Sequence, residues 1–254
     1  MFEPLPPRAS AVDACVDTIR RAILLGELHA GEKLPPERRL AESLGVNRTT
    51  LRQALGRLTH AQLVEPRQGS GYAVRDYRQD GGPDLLAGLA SLADGPRALA
   101  AIVEDLLLVR RHLARAVLER LASREAVDLE PLEQAVEAFA EVAAAHADAP
   151  RVAAADLAIL QALLAATESP VLALCFNPVA RALRDIPILA QILYARPEDN
   201  LAGWRLLLAW LQSPDSKDPE AVVKLLAERD AASLSRLTQS RLTQSHLTSG
   251  EPRP

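Results

Sequence analysis

Residues Lys33 to Val74, KLPPERRLAESLGVNRTTLRQALGRLTHAQLVEPRQGSGYAV, contain the pattern that decides the fold of this chain. Apolar side chains recur at helical spacing before and after Gly45, which is placed to end a first helix in the left-handed conformation. Asn47 follows at the position of an N-cap for a second helix. Two helices joined by so short a turn predict a helix-turn-helix, whose second helix presents its N-terminal side chains to the major groove of DNA.

The second predicted helix has one apolar face and one polar face. Its inward positions are Leu51, Ala54, Leu55 and Leu58. Arg48, Thr49 and Arg52 are left on the outer face, where the two arginines stand one helical turn apart. Because an arginine fork can donate two hydrogen bonds to a guanine edge or bind a phosphate, this face is suited to DNA recognition.

A β-hairpin is predicted after the second helix. Residues 63–66 and 72–74 are short strand candidates, and they are joined by a tight turn over residues 67–71. Gly69 and Gly71 allow the backbone to approach DNA closely. Arg67 and Gln68 can reach phosphates or the minor groove. The hairpin therefore completes a winged helix-turn-helix.

Residues 11–76 resemble the winged-helix domain of the GntR superfamily of bacterial transcription regulators. The matching motifs, in order, are a leading helix around Ile19 to Ile23, Gly31-x-x-Leu34-Pro35, Pro36-Glu37-Arg38-x-Leu40-Ala41, Leu44-Gly45-Val46-x-Arg48-x-Thr50-Leu51-Arg52-x-Ala54-Leu55-x-x-Leu58, and Gly69-x-Gly71-x-x-Val74. The resemblance implies DNA contacts at Arg38, Arg48, Thr49, Thr50, Arg52 and Gly69, and at the more variable contact positions Asn47 and Gln68. It also implies a homodimer on a near-palindromic operator in double-stranded DNA.

Two other interpretations of this segment stay open. A winged helix can serve protein contacts instead of DNA contacts. Individually, Arg39, Arg57 and Arg67 are as well explained by a solvated surface as by a DNA role.

Composition and charge favour a soluble, cytoplasmic protein. The first residues, MFEPLPPRAS, lack the apolar core of a secretory signal, and no apolar run approaches the ~20 residues that span a membrane. Cys15 and Cys175 are too few and too far apart to indicate a disulfide framework or a zinc site. Residues 1–80 carry 12 basic and 10 acidic side chains, whereas residues 81–254 carry 17 and 23, so the small positive excess lies with the predicted DNA-binding part.

The rest of the chain shows only helical patterns, which predict a mainly α protein with an all-α bundle behind the winged helix. We predict a DNA-binding domain over 1–76, a linker and connecting helix over 77–97, and an effector-binding and dimerisation domain over 98–239. Gly81-Gly82-Pro83 marks the linker. A five-residue repeat begins at Ser235 and does not match the helical period, so residues 240–254 are predicted to be a disordered tail.

Two charged residues conflict with the apolar faces on which they lie. Arg110 interrupts the apolar stripe of a long helix over 97–123, and Asp156 interrupts that of a later helix. A buried charge is costly unless it is paired, so the two can form a structural salt bridge, with each other or with other partners. Alternatively, Arg110 faces an anionic effector in a cavity, or rotation of the helices leaves both partly exposed.

A helical effector domain behind a GntR winged helix resembles the FadR subfamily. Most members hold a divalent metal with an Asp, a His four residues later and two further His. Here Asp156 fits the first position, but Leu160, Trp204 and Asp230 stand at the others. Since a metal needs several converging ligands, no metal and no other cofactor is expected.

The resemblance also implies an effector. The fatty-acid regulator that names the subfamily lacks the metal and binds long-chain acyl-CoA. An acyl-CoA or a fatty acid is therefore the first expectation, and a small carboxylate or a ligand-independent repressor are the alternatives. Arg110, Asp156, Tyr194 and Trp204 are the candidate effector residues. Trp210 is a further aromatic candidate, although each aromatic alone is also explained by core packing.

Enzymatic activity is not expected. The chain shows no Ser/His/Asp, Cys/His or paired-carboxylate constellation. Regulation is expected to work through ligand binding in the bundle, which must favour one arrangement of the winged domains over another.

Overall fold

The computed structural model describes residues 10–213 and 218–248 of the 254-residue chain. Backbone contacts divide the chain into two compact units between Leu92 and Ala93. The described first unit contains helices α1 (Ala11–Leu24), α2 (Glu37–Ser43) and α3 (Arg48–His60), strands β1 (Val64–Arg67) and β2 (Gly71–Val74), and short helices α4 (Tyr77–Asp80) and α5 (Leu86–Ser91). The described second unit contains α6 (Gly95–Ala122), α7 (Glu130–Ala144), α8 (Ala149–Ala166), α9 (Pro170–Asp185), α10 (Pro187–Leu193), α11 (Pro197–Gln212) and α12 (Glu220–Thr248).

The first unit is a winged helix-turn-helix, as the sequence predicts. Gly45 follows α2 with φ of 64°, in the left-handed region that glycine adopts without strain. Asn47 caps α3, because its side-chain oxygen accepts a hydrogen bond of 2.8 Å from the backbone N–H of Thr50. The predicted inward residues of α3 are all buried. These local interactions determine where the second helix of the motif begins and which face it exposes.

The wing is an antiparallel pair in which Val64 lies opposite Val74 and Arg67 opposite Gly71. A third segment joins its edge: the N–H of Leu34 donates to the carbonyl of Tyr72 at 2.9 Å, and Lys33 forms an isolated bridge with Ala73. The approach to α2 is thereby held against the wing.

A polar link also joins the first and third helices. Ser10 and Asp13 form a reciprocal capping box at the start of α1. Arg57 of α3 donates a hydrogen bond of 2.6 Å to the same Asp13 carboxylate. The Ser10 hydroxyl and then Arg57 lower the pKa of Asp13 to about 2, so the carboxylate stays ionised at a lower pH than an ordinary aspartate does.

The segment predicted as a connection packs largely on the first unit. Leu85 is buried in the same apolar cluster as Ile19 and Leu58, and Tyr77 packs against that cluster. Gly88 lies so close to Leu24 that a Cβ there would stand 3.3 Å from a methyl group of that leucine. Residues 77–91 are therefore part of the first compact unit, because apolar burial overrides the loop-forming glycines before them.

The second unit is an all-helical bundle, as the helical patterns of the sequence predict. Leu99, Val103, Leu106, Val117 and Leu121 of the predicted stripe on α6 are buried. Helix α6 packs against α9 and α12, and α7 packs against α8 and α11. The cavity described below lies among these helices.

Within residues 10–213 and 218–248, one helix, α8, is long and apolar enough to cross a membrane, judged by length and composition alone. No such stretch was expected from the sequence. However, α8 carries Arg151 and Asp156, and Val152, Ile159 and Leu163 on it are buried within the bundle. One such helix is weak evidence for a membrane span.

The final helix is longer than the sequence predicts. Helix α12 continues through the five-residue repeat to Thr248, so residues 240–248 depart from the predicted disordered tail. The leucines of the repeat do not form one stripe, but a long helix can be continued from the buried turn around Leu237. Residues 249–254 lie outside the described part of the chain.

Candidate functional site: nucleic-acid interface and internal cavity

The N-terminal end of α3 presents a polar, basic surface. Arg48 and Arg52 are 61% and 63% exposed, which leaves both guanidinium groups accessible to an anion. Thr49 is exposed, and Thr50 is half-buried with its N–H occupied by Asn47. Gln53 is also exposed, one turn after Thr49, and sequence reasoning missed it although the spacing indicates it.

Glu37 connects this surface to α2. Its carboxylate accepts a hydrogen bond of 2.8 Å from Nε of Arg52, and the same oxygen lies 3.7 Å from a terminal nitrogen of Arg48. Arg38 pairs with Glu42 at 3.4 Å and is 74% exposed. The two arginines at the start of α3 are therefore oriented by one acidic residue of α2.

We expect Glu37→Gln to lower DNA sequence discrimination while raising affinity for unrelated DNA. Without the carboxylate, Arg48 and Arg52 lose their shared hydrogen-bond acceptor. The net charge of the surface around them becomes more positive by one unit. The slope of log affinity against log salt should steepen by up to about one for unrelated DNA. Fluorescence anisotropy with operator and unrelated duplexes between 50 and 200 mM salt, roughly the range of strong dependence, measures both quantities.

Glu27→Gln is the matched control, because Glu27 is exposed and has no arginine partner among the described residues. It removes the same charge from the same unit. An unchanged ratio of operator to unrelated affinity in Glu37→Gln would contradict an orienting role.

The wing tip is open and exposed. Gly69 and Gly71 have φ of 72° and 81°, and nothing lies within 4 Å of a Cβ placed on either. Gln68 is exposed beside them, whereas Arg67 pairs with Glu65 on its own strand. Gln68 and Gly69 therefore stand where a wing can approach DNA.

Two arginines of uncertain role have intramolecular partners. Arg57 pairs with Asp13 and Arg67 with Glu65. Arg39 is exposed. The solvated-surface interpretation is thus favoured for Arg57, which lies at the end of α3 away from Arg48.

The four candidate effector residues come together in the second unit. Arg110 of α6, Asp156 of α8, Tyr194 after α10 and Trp204 of α11 all line one cavity. Trp210 does not line it, since its indole N–H donates to the carbonyl of Asp218 at 3.1 Å. Residues from widely separated helices thus converge inside the bundle.

The cavity has two adjoining chambers. The polar chamber, of about 330 Å³, is near the lower end of the roughly 300–1,000 Å³ of small-molecule sites. Its charged lining residues are Arg110, Arg196, Arg229, Arg236, Asp156, Asp199 and Asp230. The apolar chamber, of about 120 Å³, is lined by side chains that include Leu118, Leu160, Leu163, Phe176, Leu207 and Val222. Arg110, Asp156, Trp204, Leu226 and Arg229 border both chambers.

Arg110 forms a buried ion pair, but its partner is Asp230 rather than Asp156. Asp230 of α12 is 1% exposed and accepts hydrogen bonds from Arg110 and, at 2.9 Å, from Arg111. The direct Arg110–Asp156 bridge is therefore not formed, because α12 supplies a carboxylate closer to α6. The Nε of Arg110 is buried and makes no hydrogen bond with the described residues.

Asp156 is held by neutral donors. The hydroxyl of Tyr194 donates to one carboxylate oxygen at 2.8 Å, and the indole N–H of Trp204 donates to the other at 2.6 Å. Burial raises the pKa of Asp156 above its ordinary value. The two hydrogen bonds, and then the charges of Arg110 and Arg229, oppose that rise. Both carboxylate oxygens are therefore occupied within the protein.

The residues of the cavity do not fit a divalent metal. Asp156, Leu160, Trp204 and Asp230 do line the same cavity, as the resemblance to metal-binding relatives implies. Only two of them are carboxylates, and each has its oxygens engaged by protein donors. No group of three or more His, Cys, Asp or Glu able to hold a metal occurs in the described part of the chain.

Two family models match the chain. Residues 12–74 match the bacterial regulatory proteins of the gntR family. Residues 105–243 match the FCD domain. The two matches fall in the first and second compact units, respectively.

Individual relatives agree with the family models. The chain is 38% identical over 185 residues to the uncharacterized HTH-type transcriptional regulator Rv0494 of Mycobacterium tuberculosis, covering 72% of each chain. It is 33% identical over 147 residues to the fatty acid metabolism regulator protein of Escherichia fergusonii, covering 58% of each. Lar, which controls the expression of the Listeria monocytogenes agr system, has a similar fold, with a TM-score of 0.56 at 17% identity, covering 94% of this chain and 99% of Lar.

Proposed function

The chain belongs to the gntR family of bacterial regulatory proteins and carries the FCD domain of its FadR-like branch, and we propose that a small acidic effector controls its affinity for DNA. As a member of this family it is a DNA-binding transcriptional regulator and not an enzyme. The effector proposed first is a fatty acid or an acyl-CoA. The observation that carries this proposal is the arginine-lined chamber that adjoins an apolar chamber inside the bundle.

The shape and chemistry of the cavity favour an amphipathic anion. Guanidinium groups bind carboxylates and phosphates through charge-assisted hydrogen bonds. The apolar chamber offers leucine, valine and phenylalanine side chains, and its volume is several times what one water molecule needs. The relative from Escherichia fergusonii, a fatty acid metabolism regulator by name, supports the same class of effector.

Four further properties belong to the proposal. The protein acts as a homodimer, since a near-palindromic operator presents two half-sites to two α3 helices. Arg38, Asn47, Arg48, Thr49, Thr50, Arg52, Gln68 and Gly69 are the proposed DNA contacts. The effector binds without a metal or other cofactor. The protein is located in the cytoplasm, where the DNA of a bacterium is found.

The direct test is an effector titration on a selected operator. We expect the full-length protein to enrich a near-palindromic sequence from random duplex DNA. Fatty acids and acyl-CoAs of increasing chain length are then added to the complex, and at least one series should change operator affinity by about 5- to 150-fold, the usual range of allosteric coupling.

The controls separate DNA binding from effector control. A primary alcohol of the same chain length lacks the anion and should leave operator affinity unchanged. If no carboxylate or acyl-CoA alters affinity for the selected operator, the effector proposal is wrong and a ligand-independent repressor takes its place.

A further inference from the structure

Arg229 is a charged side chain of α12 that sequence reasoning missed. It borders both chambers of the cavity. Among the described residues it makes no hydrogen bond and no ion pair, although the charges of Asp156, Asp199 and Asp230 act on it from a distance. A half-buried guanidinium remains charged and needs an anion or water to satisfy its donors. Arg229 is therefore a candidate binding group for an anion at the junction of the two chambers.

The fold makes room for this guanidinium with a glycine. Gly203 lies in the middle of α11, where glycine is less favourable than alanine. A Cβ at position 203 would overlap the terminal nitrogen of Arg229. The absence of a Cβ at position 203 therefore lets the guanidinium of Arg229 approach the backbone of α11.

The acidic side chains of the polar chamber are already engaged. Asp230 is bound by Arg110 and Arg111, and Asp199 lies 3.9 Å from Arg196. Asp156 accepts from two neutral donors. Among the described residues, none of these carboxylates forms an ion pair with Arg229.

We propose that Arg229 binds the carboxylate of the effector and that the hydrocarbon part of the same molecule occupies the apolar chamber. The effector is thus a free carboxylic acid with an apolar chain, and not its coenzyme A thioester. A thioester has no carboxylate for Arg229, and the negative charges of its several phosphate groups exceed what Arg229 and Arg236 together can neutralise. Arg236 is the second guanidinium of the polar chamber without an acidic partner among the described residues; it donates to the hydroxyl of Ser233 at 3.0 Å.

This inference rests on the proposed effector control and is tested separately from it. Isothermal titration calorimetry of the full-length protein measures binding of straight-chain carboxylates from butanoate to hexadecanoate. The matching primary alcohols and acyl-CoAs are measured in parallel. We expect at least one carboxylate to bind more tightly than both its alcohol and its thioester.

Two variants test the role of Arg229 in different ways. Arg229→Gln removes the charge, and Gly203→Ala retains the charge but displaces the guanidinium. Each should weaken carboxylate binding by about 10- to 100-fold, the value of one charge-assisted pair, with little effect on binding of the alcohol. Arg205→Gln is the matched control, because Arg205 is an exposed arginine of α11 that lines neither chamber.

The outcomes separate the two proposals. The role of Arg229 is overturned if the wild-type protein binds the carboxylate and its alcohol with equal affinity. It is also overturned if Gly203→Ala and Arg229→Gln fold and bind the carboxylate as tightly as wild type. Binding of acyl-CoA without binding of the free acid overturns the inference and leaves effector control standing. If no probe of any class binds wild type, both proposals are overturned. Thermal unfolding of each variant identifies loss of folding, and the wild-type comparison does not depend on the variants.

Discussion

Asp230→Ala should lower the free energy of unfolding of the effector unit by about 3–5 kcal/mol, the usual cost of breaking a buried ion pair. Asp230 is 1% exposed, and Arg110 and Arg111 are 16% and 21% exposed, so solvent replaces the lost carboxylate only in part. Two guanidinium groups would remain inside the bundle without their partner. Chemical denaturation followed by tryptophan fluorescence measures this unit alone, because Trp204 and Trp210 are the only two tryptophans of the chain.

Glu220→Ala provides the comparison on the same helix. Glu220 pairs with Arg115, but its side chain is 62% exposed, and exposed pairs contribute about 0–1 kcal/mol. A loss in Asp230→Ala no larger than that in Glu220→Ala would show that the Asp230 cluster contributes little to the stability of the bundle.

Arg48→Ala and Arg52→Ala should each weaken binding to the selected operator by about 1–3 kcal/mol. Both side chains are exposed at the N-terminal end of α3, where a helix-turn-helix contacts bases and phosphates. Equilibrium titration of operator duplexes measures the loss. Binding to unrelated DNA should fall less, if these residues read base edges rather than phosphates alone.

Arg57→Ala is the control on the same helix. Arg57 is tied to Asp13 and lies near the other end of α3. We expect its replacement to change operator affinity far less than either N-terminal replacement. Unchanged operator affinity in both Arg48→Ala and Arg52→Ala would refute the assignment of α3 as the recognition helix.

Much of the fold could be predicted because its signals are local. Asn47 caps α3 and Gly45 turns the chain before it, and each acts through the backbone within a few residues. The helical periodicity of the second unit likewise depends on neighbouring side chains. Two segments differ from the local pattern: the segment around Gly82 packs through the buried Leu85, and α12 continues through the repeat after Ser235 to Thr248.

The candidate sites, too, could be predicted from the sequence only where the signal is local. Arg48 and Arg52 can be recognised from spacing on one helix, but their shared partner Glu37 cannot, since it depends on how α2 crosses α3. Arg110 and Asp156 could be identified from the sequence as charged residues on apolar helix faces. Their spacing could not show that both line one cavity, or that they do not form an ion pair with each other.

The sequence by itself determined the winged helix, its exposed basic face and the helical character of the second unit, because caps, turns and periodicity act over a few residues. Only the tertiary structure determined which charged side chains form ion pairs. It paired Arg110 with Asp230, 120 residues away, and placed Arg229 over Gly203 without an ion-pair partner among the described residues. Such pairings depend on the packing of whole helices, and no local pattern encodes the distance between residues that only the bundle brings together.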